Sequence, residues 1–150
     1  MSEVDSLLEG TWVLVASRAW DETGLPLEDP YGSHPMGTLV FNKGRMLAAL
    51  CNGDPVLAGP RAFSSYGGPY IFQDGCLEVE VDIASDPSRI GGRQVREVRA
   101  VEGGAMLLKP PKRTYGKDTQ QRELLWQRVE KTPKDEHGLD KSVELESERK

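Results

Sequence analysis

Eight short runs of apolar, β-branched and aromatic residues, separated by segments rich in Gly, Pro, Asp and Asn, constrain this chain more than any other feature. The first run, Gly10-Thr11-Trp12-Val13-Leu14-Val15-Ala16-Ser17-Arg18-Ala19-Trp20, reads as a strand: no Pro interrupts it and Gly10 marks its start. Alternation assigns Trp12, Leu14, Ala16, Arg18 and Trp20 to one face and Thr11, Val13, Val15, Ser17 and Ala19 to the other. Neither face is fully polar, so both should be covered over part of their length, as in a sheet that curls and closes.

The remaining runs follow in order. A hairpin joins 37–41 to 45–51 through Asn42-Lys43-Gly44. Residues 66–73 form a strand that carries Pro69 and is therefore read as an edge or bulged strand. Asp74-Gly75 turns the chain into 76–84, where Leu77, Val79, Val81 and Ile83 alternate with Glu78, Glu80 and Asp82. Runs at 93–101, 105–109 and 121–130 complete the set. Long loops are expected at 21–36 and 53–64, a turn at 85–92 and a polar loop at 110–119; residues 3–9 suit one or two helical turns over one mouth. No long internal helix is predicted. The fold class is all-β: a single eight-stranded antiparallel up-and-down barrel over 1–130, closed so that no sheet edge is exposed and wide enough for one small ligand. Residues 131–150 are polar, with little to bury, and read as a flexible or loosely ordered tail.

The bulk chemistry narrows the partners. A formal charge of −5 argues against a nucleic-acid footprint. No apolar run approaches the ~20 residues of a membrane span. The acidic start, Met1-Ser2-Glu3-Val4-Asp5, lacks the basic and apolar regions of a secretion signal, and two cysteines, Cys51 and Cys76, make no disulfide framework. The cytoplasm, with both thiols reduced, is the expected compartment. There is no phosphate loop, nucleophile elbow, His-Glu-x-x-His or Cys-x-x-Cys, and the histidines are His34 and His137 alone. No metal site and no cofactor are expected, and Cys51 reads as an inert thiol rather than a nucleophile.

Gly10-Thr11-Trp12 at the first strand and Trp126-Gln127-Arg128-Val129 at the last resemble the lipocalin pattern, in which a basic residue of the last strand packs across the Trp of a Gly-x-Trp motif. The order of further motifs is similar to that of the small bacterial and fungal lipocalin-like domain proteins. It runs through Asp29-Pro30-Tyr31-Gly32, Gly44-Arg45-Met46, Tyr66-Gly67-Gly68-Pro69-Tyr70, Asp86-Pro87-Ser88-Arg89-Ile90-Gly91 and Trp126-Gln127-Arg128, over residues 8–129. Where many members place a His pair before the Asn-Pro turn, this chain has Val79 and Glu80. The resemblance implies a calycin-type barrel. It implies no single activity: some members carry metabolites, and others act as isomerases or cyclases on natural-product intermediates in secondary metabolism.

Candidate site residues follow from facing and chemistry. If Trp12 faces inward, so do Arg18 and Trp20. Arg18 is then either a hook for a carboxylate or enolate, or a rim residue paired with an acid. Glu80, in the row Glu78, Glu80 and Asp82, is either a cavity acid or base or part of a solvated face ion-paired to Arg96 and Arg99. Tyr66 and Tyr70 share a face and suit a pocket wall or the core. His34, in the first long loop, is the best proton-transfer candidate, though a lone surface His is usually inert. The expected catalytic set is therefore His34, Glu80, Tyr70 and Arg18. The expected ligand-binding set is Trp20, Tyr66, Leu39, Phe41, Met46 and Trp126, near the mouth bordered by 21–36 and 53–64.

Three functions remain. The first is a cofactor-independent isomerase or cyclase acting on a small hydrophobic or aromatic metabolite by positioning and acid/base help. The second is a non-catalytic binder or carrier of such a molecule. The third is a barrel filled by side chains that serves as an interaction module and dimerises through an outer face; an interior below ~300 Å³ favours it.

Overall fold

The computed structural model describes residues 7–110, 113–115 and 118–129. Ten strands follow one another: β1 (Gly10–Trp20), β2 (Pro35–Asn42), β3 (Arg45–Asn52), β4 (Phe63–Gln73), β5 (Cys76–Glu80), β6 (Ile83–Ala84), β7 (Arg93–Val101), β8 (Ala105–Lys109), β9 (Arg113–Tyr115) and β10 (Asp118–Arg128). Eight of them pair antiparallel in the order β1-β2-β3-β4-β5-β7-β8-β10, and β10 returns to β1, so the ring of hydrogen bonds closes. The expected all-β, eight-stranded up-and-down barrel is the fold. The two remaining strands are additions: β6 pairs with β4, and β9 forms a hairpin with the start of β10.

The two ends of the barrel differ. One end holds the two-residue turns Lys43-Gly44 and Asp74-Gly75, the tight turn 102–104 and the helical residues Leu7 and Leu8. The other holds the long connections 21–34, 53–62 and 81–92 and the hairpin of β9 with the start of β10. The short end is packed solid. Trp12, Phe41, Met46, Tyr70, Leu77 and Met106 fill it, with Phe41 and Tyr70 edge-to-face at 5.0 Å between ring centroids. Arg128 latches this end: its guanidinium lies 4.3 Å from the Trp12 ring centroid and donates to the carbonyls of Glu9 and Leu7, while Trp12 Nε1 donates to Leu8 O at 3.0 Å. Gly10 makes room for it. A Cβ there, at φ 130°, would stand 2.8 Å from Arg128 Nη1. The Gly-x-Trp and Trp-x-Arg segments thus meet across the seam between first and last strands.

Two irregularities correct the simple alternation. In β1, Leu14 lies opposite Trp126 but Ala16 opposite Leu125, so Val15 is a β-bulge. The extra residue inverts parity. Trp12 and Leu14 face inward before it, and Ser17 and Ala19 face inward after it; Arg18 is exposed and Trp20 stands on the outer side. The outer face of β1 is also less covered than expected, since Val13 and Val15 are exposed. In β4, pairing passes from β5 (Tyr70↔Val79) to β6 (Gly67↔Ile83), with Gly68 and Pro69 between. A Cβ on Gly68, at φ 154°, would collide with the Glu80 carbonyl oxygen. The Pro69 strand is therefore bulged and central rather than an edge, and the run 76–84 breaks after Glu80 instead of continuing. The last strand begins at Asp118, earlier than the sequence pattern indicates. The proposed tail, 131–150, and most of the 3–9 lead-in lie outside the described residues. Among the described residues no helix is long and apolar enough to cross a membrane.

Candidate functional site

A cavity of about 820 Å³ opens at the long-loop end. Leu39, Ala48, Leu50, Tyr66, Leu108 and Trp126 line its apolar part. Registers explain the set. Leu39 lies opposite Ala48 and Ala48 opposite Tyr66; Leu108 lies opposite Leu124, one inward step from Trp126. These are the inward positions immediately above the packed end.

The polar wall comes from five segments. On β7, Gln94 is opposite the buried Val79 and Arg96 opposite the buried Leu77, so both point inward. On β10, Arg122, Leu124 and Trp126 are successive inward residues. Ser64 enters from β4. Arg89 comes from the segment between β6 and β7, where Asp86 caps a single 3₁₀ turn over Pro87–Arg89 by accepting from Ser88 N at 3.0 Å. The turn delivers the Arg89 guanidinium 4.3 Å from the Tyr66 ring centroid, and that of Arg96 lies 5.9 Å from the same centroid. Arg89 also donates to Ser64 Oγ at 3.1 Å, and Arg96 donates to Gln94 Oε1 at 2.8 Å and Val95 O at 2.9 Å. All three arginines are half-buried.

Tyr31 completes the wall. It sits in the first long loop because Ser17, turned inward by the bulge and 2% exposed, accepts from Tyr31 N at 3.0 Å. Burial pushes the Tyr31 phenol above its ordinary value; the hydrogen bond with Ser64 and the charges of Arg122 and Arg89 oppose that shift without overcoming it. At neutral pH Tyr31 is a protonated donor.

Tyr66, Leu39 and Trp126 line the cavity. Tyr70, Phe41 and Met46 lie below it in the packed end: Tyr70 faces inward, as alternation predicts, but is core rather than wall. Arg18 and Trp20 are on the outer side of β1, displaced by the bulge. Glu80 is exposed on the outside of β5, in an outer row whose ion pairs are Glu78–Arg93 at 3.8 Å and Asp82–Arg45 at 2.8 Å; the expected partners differ, since Arg96 faces inward opposite Leu77 and Arg99 meets Glu97. His34 is outside the cavity. Its Nδ1 and backbone N meet Asp54 Oδ1 at 2.9 and 2.8 Å, and its carbonyl accepts from Gly53 N at 2.8 Å. Hydrogen bonding holds the Asp54 carboxyl below its usual range: the His34 ring contributes most, burial opposes it, and the bonds from the His34 and Ser33 backbone and the Ser33 side chain add to the lowering. His34 and Asp54 clamp the two long loops together.

The mouth is bordered by both expected loops, through Pro30, Tyr31, Phe63 and Ser64, and also by the 85–92 segment and Pro110. Tyr31, Ser64, Arg89, Arg96 and Arg122 were not among the residues the sequence singled out for a site. Arg96 shares the inward face of Leu77 because the β5–β7 register sets the two opposite, which the run 93–101 does not signal by itself.

The described chain is thus a closed eight-stranded antiparallel β-barrel with one packed end and one open, cavity-bearing end. No protein-family model matches it, and no curated protein sequence matches it. Among solved structures it is similar to an uncharacterized protein from Bacteroides eggerthii, at 13% identity over 81% of this chain and 99% of that chain, with a TM-score of 0.44. It is also similar to a redesigned β-barrel, at 14% identity over 87% of this chain and 98% of that chain, with a TM-score of 0.45.

Proposed function

We propose that this chain is a lipocalin-like binding barrel that takes a small, largely aromatic organic molecule in its open end. The observation that carries the reading is the cavity of about 820 Å³, walled by Leu39, Leu50, Leu108 and Trp126 at one level and by polar side chains above them. That volume lies within the ~300–1,000 Å³ of ordinary small-molecule sites, which argues against the filled-barrel reading.

Binding is favoured over proton-transfer catalysis by what the wall offers. Its polar groups are guanidiniums, a protonated phenol, hydroxyls and amides; the acid on its rim, Asp86, is engaged in capping the 3₁₀ turn. Such groups position and polarise a ligand rather than abstract a proton. The test is titration with the neutral fluorophore N-phenylnaphthylamine. Saturable binding is expected in the wild type, with loss in Ala48→Phe and Leu50→Trp, each of which fills the cavity; near-ultraviolet circular dichroism checks that each variant is folded. Absence of binding in the wild type, or undiminished binding in both folded variants, overturns the reading.

A further inference from the structure

We infer that the ligand of this barrel is an organic anion, an aromatic carboxylate or its like, whose charged group is held between Arg89 and Arg96 over the face of Tyr66 while its ring system descends to Leu39, Leu50 and Trp126. The inference rests on the binding reading above and adds the ligand's charge.

The electrostatics of the wall oppose those of the whole chain. The chain carries a formal −5, yet arginines 89, 96 and 122 are gathered at one cavity. Three arginines of the barrel meet carboxylates: Arg45 meets Asp82 at 2.8 Å, Arg93 meets Glu78 at 3.8 Å and Arg99 meets Glu97 at 3.2 Å. Others, such as Arg61 and Arg128, bond to backbone carbonyls away from the cavity. Arg89 and Arg96 differ from both groups in standing together at the cavity wall. Among the described residues neither forms an ion pair; Arg89 donates to the Ser64 hydroxyl, and Arg96 to an amide and a backbone carbonyl. Those partners are neutral, so they orient both guanidiniums without cancelling their charge. Two positive groups over one ring, half-withdrawn from water, repel each other unless an anion joins them. A guanidinium retains donors after such bonds, in the fork geometry that fits a carboxylate.

The neighbouring groups suit the same ligand. Tyr31, whose phenol burial keeps protonated at neutral pH, adds an O–H to the wall that Arg89 and Ser64 share. The Tyr66 ring beneath both guanidiniums is 7% exposed, so the charged level of the cavity passes directly into its apolar level. A ligand polar at one end and flat and apolar at the other meets every part of this wall.

A matched pair of fluorophores tests the charge separately from the fit. Anilinonaphthalene sulfonate and N-phenylnaphthylamine share the same ring system and differ by the sulfonate. The full chain is expected to bind the sulfonate at least tenfold more tightly than the neutral amine, with an advantage that shrinks as salt is raised. Arg89→Met and Arg96→Met should each reduce sulfonate affinity by about tenfold and cut the sulfonate-over-amine preference by a similar factor. Arg96→Lys, which keeps the charge, should retain part of the preference. Equal affinity for the two probes, or sulfonate binding unchanged in both Met variants, overturns the anion assignment and leaves the binding reading standing. Failure of the wild type to bind either probe overturns the binding reading itself, and the anion assignment falls with it.

Discussion

Removing the Trp12–Arg128 latch should destabilise the barrel by an amount the structure allows to be worked out. In Arg128→Met the aliphatic stem survives but three interactions go: the stack at 4.3 Å on the Trp12 ring and the donated bonds to the Glu9 and Leu7 carbonyls. The stack is worth about 0.5–2 kcal/mol. The two charge-assisted bonds are worth about 1.5 kcal/mol each at full burial and less here, where one guanidinium nitrogen is solvent-facing. The sum is about 2–3 kcal/mol, or a fall in Tm of roughly 5–10 °C for a domain of this size. Trp12→Ala, at a site 4% exposed, should cost about 3–5 kcal/mol. The informative quantity is the coupling. Urea unfolding of wild type, Trp12→Phe, Arg128→Met and the double variant gives a cycle whose interaction energy should be about 0.5–2 kcal/mol. Phe keeps a ring and much of the packing, so all four proteins should fold. A coupling of zero within error, together with a loss below about 1 kcal/mol in Arg128→Met, would refute the claim that this contact closes the seam between β1 and β10.

Other outcomes follow from the same geometry. Arg18→Ala and Glu80→Gln should leave N-phenylnaphthylamine affinity within twofold of wild type, since both side chains are on the outside; a tenfold loss in either would return it to the site. In a spectrophotometric alkaline titration, Tyr31→Phe should remove a component that ionises above the ordinary tyrosine range. The native Tyr31 keeps a proton that the unfolded chain releases near ~10, so its contribution to stability is whole below that pH and fades as pH rises through the raised native value. Asp54 has the opposite sign. Its native carboxyl is held low by His34, so its contribution is present above the unfolded value of about 3.9 and is lost as pH falls through the native one. Asp54→Asn should therefore flatten the acid limb of the stability curve and hasten proteolysis within loops 21–34 and 53–62; an unaltered acid limb would count against the clamp.

Much of this fold was legible in the amino-acid order alone. Period-two alternation and Gly, Asp and Pro at the turns locate β1, β7 and β8 to the residue and the other main strands to within a few. The segments carrying Gly10-Thr11-Trp12 and Trp126-Gln127-Arg128 announce a seam, and the long loops mark the open mouth. Leu39 and Trp126 lie on regularly alternating stretches, and Tyr66 precedes the irregularity of its strand, so all three keep the inward facing that alternation assigns. The tertiary structure decided what alternation cannot carry. One extra residue, Val15, reverses the facing of everything after it in β1, which sends Arg18 and Trp20 out and brings Ser17 in to hold Tyr31. No composition signal marks that bulge, because it exists only relative to β10. Arg89, Arg96 and Arg122 stayed hidden for a related reason. Each stands in a polar local context that reads as solvated surface, and only the pairing of distant strands and a capped turn places all three at one cavity. A strand's own sequence specifies that its side chains alternate; which half faces the interior is set by the strands beside it.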